Sequence, residues 1–412
     1  MISAIRGTHD ILPGEVERWQ RLERVTRELC SCYGFQELRT PIIEREELFA
    51  KGTGQTTDIV QKEMYTFEDK GGERVTLRPE ATPSMVRAFF EHALEQRLPA
   101  AKVFSLGPMF RYERPQKGRY RQFHQLDVEA FGEPGASLDA EMIEMASSLV
   151  SSLGIESSDI VINSVGCESC RPQFNQALLD ALGNKLDQLC PDCQRRAKTN
   201  PLRIYDCKVA ADQCIIDELP HSVDHLCSDC NNHFCEVRTH LDAYELDYRV
   251  SHRLVRGLDY YMRTTFEVLG QQLGAQNALL GGGRYDGLVR QLGGPSREGI
   301  GFAAGLERLV LAMPEEVVGR GADVFIVALG ENTKKQAHVL ARDLRQHGLV
   351  TLIDYNVRSL RAQMKRADKT SARAAIILGD DELSRGEVTI KFMETGEQVR
   401  IARTDIVQRL SQ

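Results

Sequence analysis

Near its start the chain spaces its apolar residues as a helix does. Trp19, Leu22, Val25 and Leu29 fall on one face, so Pro13–Tyr33 reads as an amphipathic helix. The period then changes to two. Strand-like runs follow around Phe35–Ile43, Arg74–Leu77, Ala101–Arg111 and Gln122–Phe131. In the last of these, Phe123, Gln125, Asp127, Glu129 and Phe131 share one face, while His124, Leu126, Val128 and Ala130 share the other. The second face reads as core. The first joins an aromatic ring, an amide and carboxylates, a poor set for packing and a good one for holding a polar ligand. Ser137–Leu153 reads as a helix, strand-like sequence resumes at Leu254–Val268, and Gly299–Met313 reads as a strand running into a helix. Strands that follow one another without helices between them favour an antiparallel sheet and exclude a doubly wound dinucleotide fold for this part. Beyond a linker at Pro314–Gly321, the apolar runs Asp323–Leu329 and Ala374–Leu378 alternate with helical stretches, as in a small α/β domain with a buried sheet. The fold class expected is α+β, with a core over residues 1–320 interrupted by an insertion at 165–250, and a C-terminal α/β domain over 322–412.

Composition adds two constraints. With 42% apolar and 27% charged residues in 412, the chain has the balance of a globular protein, and no apolar run is long enough for a membrane span. Met1–Arg6 lacks the form of a signal peptide, so a cytoplasmic location without membrane contact is expected. The net charge of −7 is unevenly spread. Residues 322–412 carry 15 Lys+Arg against 12 Asp+Glu, a balance of +3, which leaves −10 for the rest. Arg361, Lys365 and Lys369 fall four apart on one helical face of that segment. A solvated helix face explains such a run, and so does a local RNA-binding surface on an acidic protein.

Nine of the 11 cysteines lie between Cys167 and Cys235. Cys167-x2-Cys170 and Cys190-x2-Cys193 are separated by 19 residues, a spacing that suits a four-cysteine structural Zn²⁺ site, with reduced free thiols as the other reading. Cys207, Cys214, Cys227, Cys230 and Cys235 offer part of a second site.

The segment with most chemistry is Met109–Phe131, in which two strands flank a loop carrying Arg114, Lys117, Arg119 and Arg121. Such a loop suits a ligand that is polyanionic at one end. This hairpin resembles motif 2 of the class II aminoacyl-tRNA synthetases, in the form found in the histidyl-tRNA synthetase family. Arg6–Asp10 is similar to that family's opening, Gly34–Pro41 to motif 1, Thr76–Thr82 to its amino-acid-binding loop, Leu254–Tyr261 and Gly282–Asp286 to its two histidine-specific segments, and Gly299–Arg308 to motif 3. The matches keep the family's order over nearly the whole chain. Ala81 and Asp127 stand where the family often carries glycine, and both would narrow the pocket slightly.

The resemblance implies a class II catalytic core, an anticodon-binding C-terminal domain and a homodimer formed through motif 1. It implies activation of L-histidine by ATP with Mg²⁺, then transfer of histidine to the 3′ end of tRNA(His). The catalytic residues it implies are Arg256, Arg111 and Arg308. Arg111 would bind the α-phosphate and the histidine carboxylate. Arg308, helped by Arg119, would hold the γ-phosphate, and Arg256 would take the place that other class II enzymes give to a metal ion. Phe123 would stack on adenine and Glu113 accept from its amine. Glu80, Thr82 and Gln125 would surround the α-amino group. Glu129 would face one imidazole nitrogen and a tyrosine hydroxyl the other, Tyr261 before Tyr260. Arg114, Gln116 and Lys117 would meet the first base pairs of the tRNA, and the insertion its acceptor arm. Gly281–Gly283 would let backbone approach the ligand. Gly299–Gly305 has the spacing GxGxxxG and leads to Arg308, which sets it apart from a dinucleotide loop. The implied alternative is a regulatory subunit of ATP phosphoribosyltransferase, a paralogue that senses histidine without catalysis. Such paralogues lack the anticodon domain and lose pieces of the motifs, whereas Arg111, Arg256, Arg308 and Ala322–Gln412 are all present here. A non-catalytic RNA-binding or stress-sensing module is the third reading.

Overall fold

A computed structural model describes residues 2–55, 57–98, 101–156, 158–271, 277–315, 321–356 and 358–410. The chain divides into two compact units, 1–315 and 316–412. The expected linker lies partly outside the described residues, at 316–320.

The first unit is built on eight strands, β1 (Gln36–Glu37), β2 (Lys102–Phe110), β3 (Gln122–Phe131), β4 (Ser158–Ser164), β5 (Tyr248–Val250), β6 (Met262–Gly270), β7 (Ala278–Arg284) and β8 (Gly299–Gly305). They pair in the order β1-β2-β3-β8-β7-β6-β4-β5. The six central strands are antiparallel, as the strand succession led one to expect, and parallel pairing enters only at the two edges, β1 on β2 and β5 on β4. Three helices pack with this sheet, α1 (Val16–Cys32), α2 (Thr82–Glu91) and α3 (Ala136–Ser152). Trp19 and Leu22 of α1 and Met142, Ile143, Ala146 and Leu149 of α3 form one cluster with Leu126, Val128 and Ala130 of β3. That face of β3 is core, as its alternation predicts. Met85, Val86 and Phe89 of α2 join a second cluster with Phe131 and Tyr285. The rest of the other face of β3 is left to line a cavity.

Two expected strands are shorter than the pattern suggested. Phe35–Ile43 breaks into β1 and a separate strand, Ile43–Arg45, because Pro41 has no N–H to give a ladder. Residues 254–261 are a loop, not the start of β6, and the side chains of Arg256, Leu258, Tyr260 and Tyr261 are taken up in lining the cavity. Between β4 and β5 the chain leaves the sheet for a helical insertion whose main elements are α4 (Arg171–Leu182), α5 (Pro191–Thr199) and α6 (Ser228–Ala243). It carries its own apolar cluster, including Phe174, Leu178, Leu202 and Ile216. Helix α6 is tied to the core by a buried triad. The Asp139 carboxylate on α3 accepts from His233 of α6 at 2.8 Å and pairs with the fully buried Arg284 of β7. Burial opposes its charge, yet these two partners hold Asp139 below the usual carboxylate range. A short helix, α7 (Leu306–Ala312), follows β8 directly.

The second unit has five strands, β9 (Val324–Ala328), β10 (Thr351–Ile353), β11 (Ala374–Leu378), β12 (Glu387–Phe392) and β13 (Gln398–Ala402), ordered β10-β9-β11-β12-β13. The first three are parallel and largely apolar, with helices α8 (Glu331–Gln346) and α9 (Leu360–Lys369) as crossovers. Ser359 caps α9 by accepting the Ala362 N–H, and Arg361, Lys365 and Lys369 stand along it at the surface. Among the described residues no helix is long and apolar enough to cross a membrane.

Candidate active site

The ligand face of β3 opens into a cavity of about 370 Å³. Every residue that the sequence singled out for ATP or histidine lines it: Glu80, Thr82, Arg111, Glu113, Arg119, Phe123, Gln125, Glu129, Arg256, Tyr260, Tyr261 and Arg308. They converge from Glu80 and the first residue of α2, the β2–β3 hairpin, the 254–261 loop and the junction of β8 with α7. That junction is pinned to the hairpin. Glu307 accepts the backbone N–H of His124 at 2.9 Å and pairs with its ring at 3.0 Å, which sets the neighbouring Arg308 beside the hairpin loop.

One end of the cavity is cationic. Arg111 donates through Nε to the Pro79 carbonyl at 2.8 Å, and its guanidinium lies 5.2 Å from the Phe123 ring centre. Arg119 pairs with Glu113 at 3.3 Å, and Arg111 reaches the same carboxylate at 3.9 Å. Arg308 donates to the Ala278 carbonyl at 2.7 Å. Burial, then repulsion from Arg119, pulls its guanidinium below the ordinary arginine value. Guanidiniums gathered on one wall of a cavity suit the oxygens of a polyphosphate.

The other end is carboxylate-rich and buried. Glu80 accepts from the Thr53 hydroxyl and from Tyr260 Oη at 2.9 Å. Glu129 accepts from Thr82 Oγ1 at 2.6 Å and from the Tyr285 hydroxyl. Burial pushes the Glu129 carboxyl up to about 8, against the pull of those two hydroxyls. Burial, then the Glu129 charge, raises Asp127 well above the carboxylate range. Among the described residues two oxygens here have no hydrogen-bond partner, Gln125 Oε1 and Asp127 Oδ2, and both belong to residues on the cavity face of β3. Buried acceptors without donors point to a ligand that brings N–H groups. Asp127 thus does more than narrow the pocket, as expected of a residue in a glycine's place. It adds an unsatisfied acceptor.

Arg256 lines the cavity with both groups. It pairs with Glu267 of β6, and its guanidinium sits 5.9 Å from the Tyr261 ring centre. Burial opposes its charge, but Glu267 holds it above the ordinary value. Glycine makes room for it. A Cβ on Gly281 would lie 2.6 Å from Arg256 Nη1 and 2.8 Å from Glu267 Cγ. Gly301 does the same for Glu129, whose Oε2 occupies the place its Cβ would take. Gly281 and Gly301 thus yield space to side chains of the cavity wall, a role distinct from the approach of backbone to ligand expected of Gly281–Gly283.

Tyr285 carries no site assignment from the sequence, although it sits inside the Gly282–Asp286 segment. Its hydroxyl holds Glu129, while the hydroxyl of Tyr260 is engaged with Glu80. The residue that fixes the buried carboxylate comes from the end of β7, two strands away from β3, and only the sheet order could reveal it. Arg284 beside it belongs to the structural triad and not to the cavity. Arg114, Gln116 and Lys117 lie in the hairpin loop, outside the lining. One expected grouping is corrected. Cys167 and Cys170 do not meet Cys190 and Cys193, because α4, about 18 Å long, carries the chain away between the pairs. Cys167 and Cys170 meet Cys227 and Cys230, and Cys190 and Cys193 meet Cys207 and Asp212.

A family model described as histidyl-tRNA synthetase matches residues 7–309, and one described as anticodon binding domain matches 323–412. The histidine–tRNA ligase of Syntrophotalea carbinolica is 49% identical over 410 residues, covering 99% of this chain and 98% of its own. The solved apo histidyl-tRNA synthetase of S. aureus superposes with a TM-score of 0.85 at 37% identity, with both chains covered in full. A Bacillus halodurans chain described as an ATP phosphoribosyltransferase regulatory subunit/histidyl-tRNA synthetase superposes with a TM-score of 0.67 at 20% identity over 92% of this chain and 98% of that one, which shows a shared fold and no more.

Proposed function

Because the chain belongs to the histidyl-tRNA synthetase family, we propose that it works as a histidine–tRNA ligase, with the cavity in its first unit as the site of both half-reactions. The observation that carries this reading is the division of one cavity into a cluster of guanidiniums and a buried carboxylate end, with Arg256 in the same lining. In activation, the histidine carboxylate attacks the α-phosphate of ATP, the α-phosphate bond to pyrophosphate breaks, and negative charge builds on the phosphoryl oxygens. Arg111 and Arg256 face that charge, Arg308 and Arg119 hold the outer phosphates, and Phe123 stacks on adenine. Glu113, paired with Arg119 before ATP arrives, is free to accept from the adenine amine once phosphate takes its place. Mg²⁺ arriving with ATP neutralises phosphate charge.

At the carboxylate end, Glu80, Thr82 and Gln125 receive the α-ammonium group, with Asp127 adding the acceptor noted above. Glu129 faces the imidazole. Burial raises its proton affinity to about 8, and an imidazole, whose ring nitrogens donate or accept according to its charge state, can meet either form of that carboxyl. The second half-reaction passes histidine to the terminal ribose of tRNA(His). The second unit supplies anticodon contact, with Arg361, Lys365 and Lys369 on α9 as candidate phosphate ligands. A homodimer in the cytoplasm completes the reading. The regulatory-subunit alternative is not favoured, since the three arginines and the C-terminal domain are both in place.

The test is aminoacylation by the full chain: histidine, Mg·ATP and tRNA should yield histidyl-tRNA, and no product with folded protein overturns the reading. Deleting residues 322–412, a unit with its own core, should spare adenylate formation within about twofold and lower tRNA charging by at least about 100-fold. Equal charging by the truncated and full chains, measured at subsaturating tRNA, contradicts the role given to the second unit.

A further inference from the structure

The insertion holds two separate four-ligand clusters that the aminoacylation reading does not use. The first joins its entry to its exit: Cys167 and Cys170 follow β4, and Cys227 and Cys230 open α6. The second, nested between them in sequence, is Cys190, Cys193, Cys207 and Asp212. Within each cluster the ligand atoms all lie within 4.8 Å of one another. All eight residues are thus drawn into two compact cages by a module with little other reason to gather its sulfurs.

The geometry within each cage fits a single tetrahedral ion. Cys167 Sγ lies 3.6 Å from Cys170 Sγ and 3.9 Å from Cys227 Sγ, and Cys190 Sγ lies 3.9 Å from Cys207 Sγ. A disulfide needs about 2.05 Å. A tetrahedron of thiolates on zinc, with bonds of about 2.3 Å, has edges of about 3.8 Å. An iron–sulfur cluster, whose ligand sulfurs bind different metal atoms, needs a wider cage than this. Backbone N–H groups already point at the sulfurs, as they do around bound thiolates: Cys227 N–H donates to Cys170 Sγ at 3.1 Å and Val209 N–H to Cys207 Sγ at 3.4 Å.

Reduced thiols packing as small apolar groups is the plainer account, and Cys30 in the core is an instance of it. It gives Asp212 a thiol donor, Cys207, but no counter-charge. This carboxylate is buried, its Oδ2 lies 3.2 Å from Cys207 Sγ, and among the described residues no basic side chain pairs with it. It accepts the Cys190 N–H at 3.1 Å, which orients it toward the sulfurs without neutralising it. A buried anion beside three thiols calls for a cation.

We propose that the insertion binds two zinc-class divalent cations per chain, one in the four-cysteine cage at its neck and one in the cage of three cysteines and an aspartate in its body. The neck ion closes the base of the insertion next to the cavity, since Val165 and Gly166 exchange backbone hydrogen bonds with Arg263, both at 2.9 Å, and Arg171 donates to the Tyr261 carbonyl.

The experiment is metal analysis of the full chain, purified without a metal-binding tag and reconstituted with zinc under reducing conditions. The expected content is two zinc ions per chain. The double variant Cys227→Ser/Cys230→Ser should retain one, and so should Cys190→Ser/Cys207→Ser. Should the variants fail to fold, thiol titration of the wild-type protein with a mercurial, read by a colorimetric zinc chelator, should release two equivalents. Cobalt substitution should give strong thiolate-to-metal charge-transfer absorption scaling with seven thiolates over two ions. A wild-type content of zero or one overturns the proposal, as does loss of all metal from either variant in folded protein.

Discussion

Arg256→Ala is expected to lower histidine-dependent ATP–pyrophosphate exchange by about a thousandfold, the upper range for removing one preorganised charge from a developing oxyanion. The loss should appear in kcat more than in the KM for ATP, because the guanidinium faces charge that grows in the transition state. The alanine variant also strips Glu267 of its partner, and an orphaned carboxylate is destabilising. Pairing it with Glu267→Gln removes that cost, and a folded double variant keeps the comparison clean. Arg256→Lys should recover only part of the rate, since an ammonium holds charge without the fork that spans two oxygens. Exchange within about threefold of wild type in the double variant would remove Arg256 from the reaction.

Glu129→Gln has two expected effects of opposite sign. Histidine activation should fall by about 100-fold in kcat/KM, the scale of a charge-assisted hydrogen bond, with the KM for ATP within about threefold. The stability of the ligand-free enzyme should rise at alkaline pH. The sign follows from linkage. The Glu129 carboxyl is held near 8 in the fold and at its ordinary 4.5 when unfolded, so the folded state keeps a proton that the unfolded state gives up. Stability is therefore fully present below about pH 4.5 and declines as pH rises toward 8. Glutamine stays neutral throughout. The variant should unfold at nearly the wild-type midpoint at about pH 5 and be more stable by on the order of 3 kcal/mol at about pH 8.5, allowing for one lost acceptor. Chemical denaturation at the two pH values measures this. A variant equally destabilised at both, with histidine and ATP binding equally weakened, would make Glu129 a structural residue.

Much of the site was legible in the chain, and the reasons differ by residue. The alternation of β3 put Phe123, Gln125, Asp127 and Glu129 on one face without any tertiary information, because a strand leaves no choice about sides. Arg111 and Arg119 could be placed with the hairpin because they lie in the segment that joins its two strands. Arg256 and Glu80 come from separate loops and Arg308 from the first turn of α7, and only the order of family motifs linked them before the sheet order did. Tyr285 escaped assignment because its partner is on a strand that is remote in sequence. The cysteines show the limit most plainly. Spacing alone favoured joining the two consecutive CxxC pairs, but spacing does not know that a rigid helix separates them or that the end of the insertion returns the chain to its entry. Asp212 gave no sequence signal at all, since a lone carboxylate becomes a ligand only through what it is buried against. In the fold, Pro41 and the 254–261 loop broke two expected strands, the first for want of a donor and the second because its side chains serve the cavity.

A pocket that selects histidine and couples it to ATP is the central claim. ATP–pyrophosphate exchange on the full chain, with each of the twenty amino acids offered in turn, tests that directly. Exchange with histidine alone, at a rate that Arg256→Ala lowers by about a thousandfold, is the predicted result. Silence across all twenty, with histidine still bound in equilibrium dialysis, would contradict it and make the protein a histidine sensor on a synthetase fold.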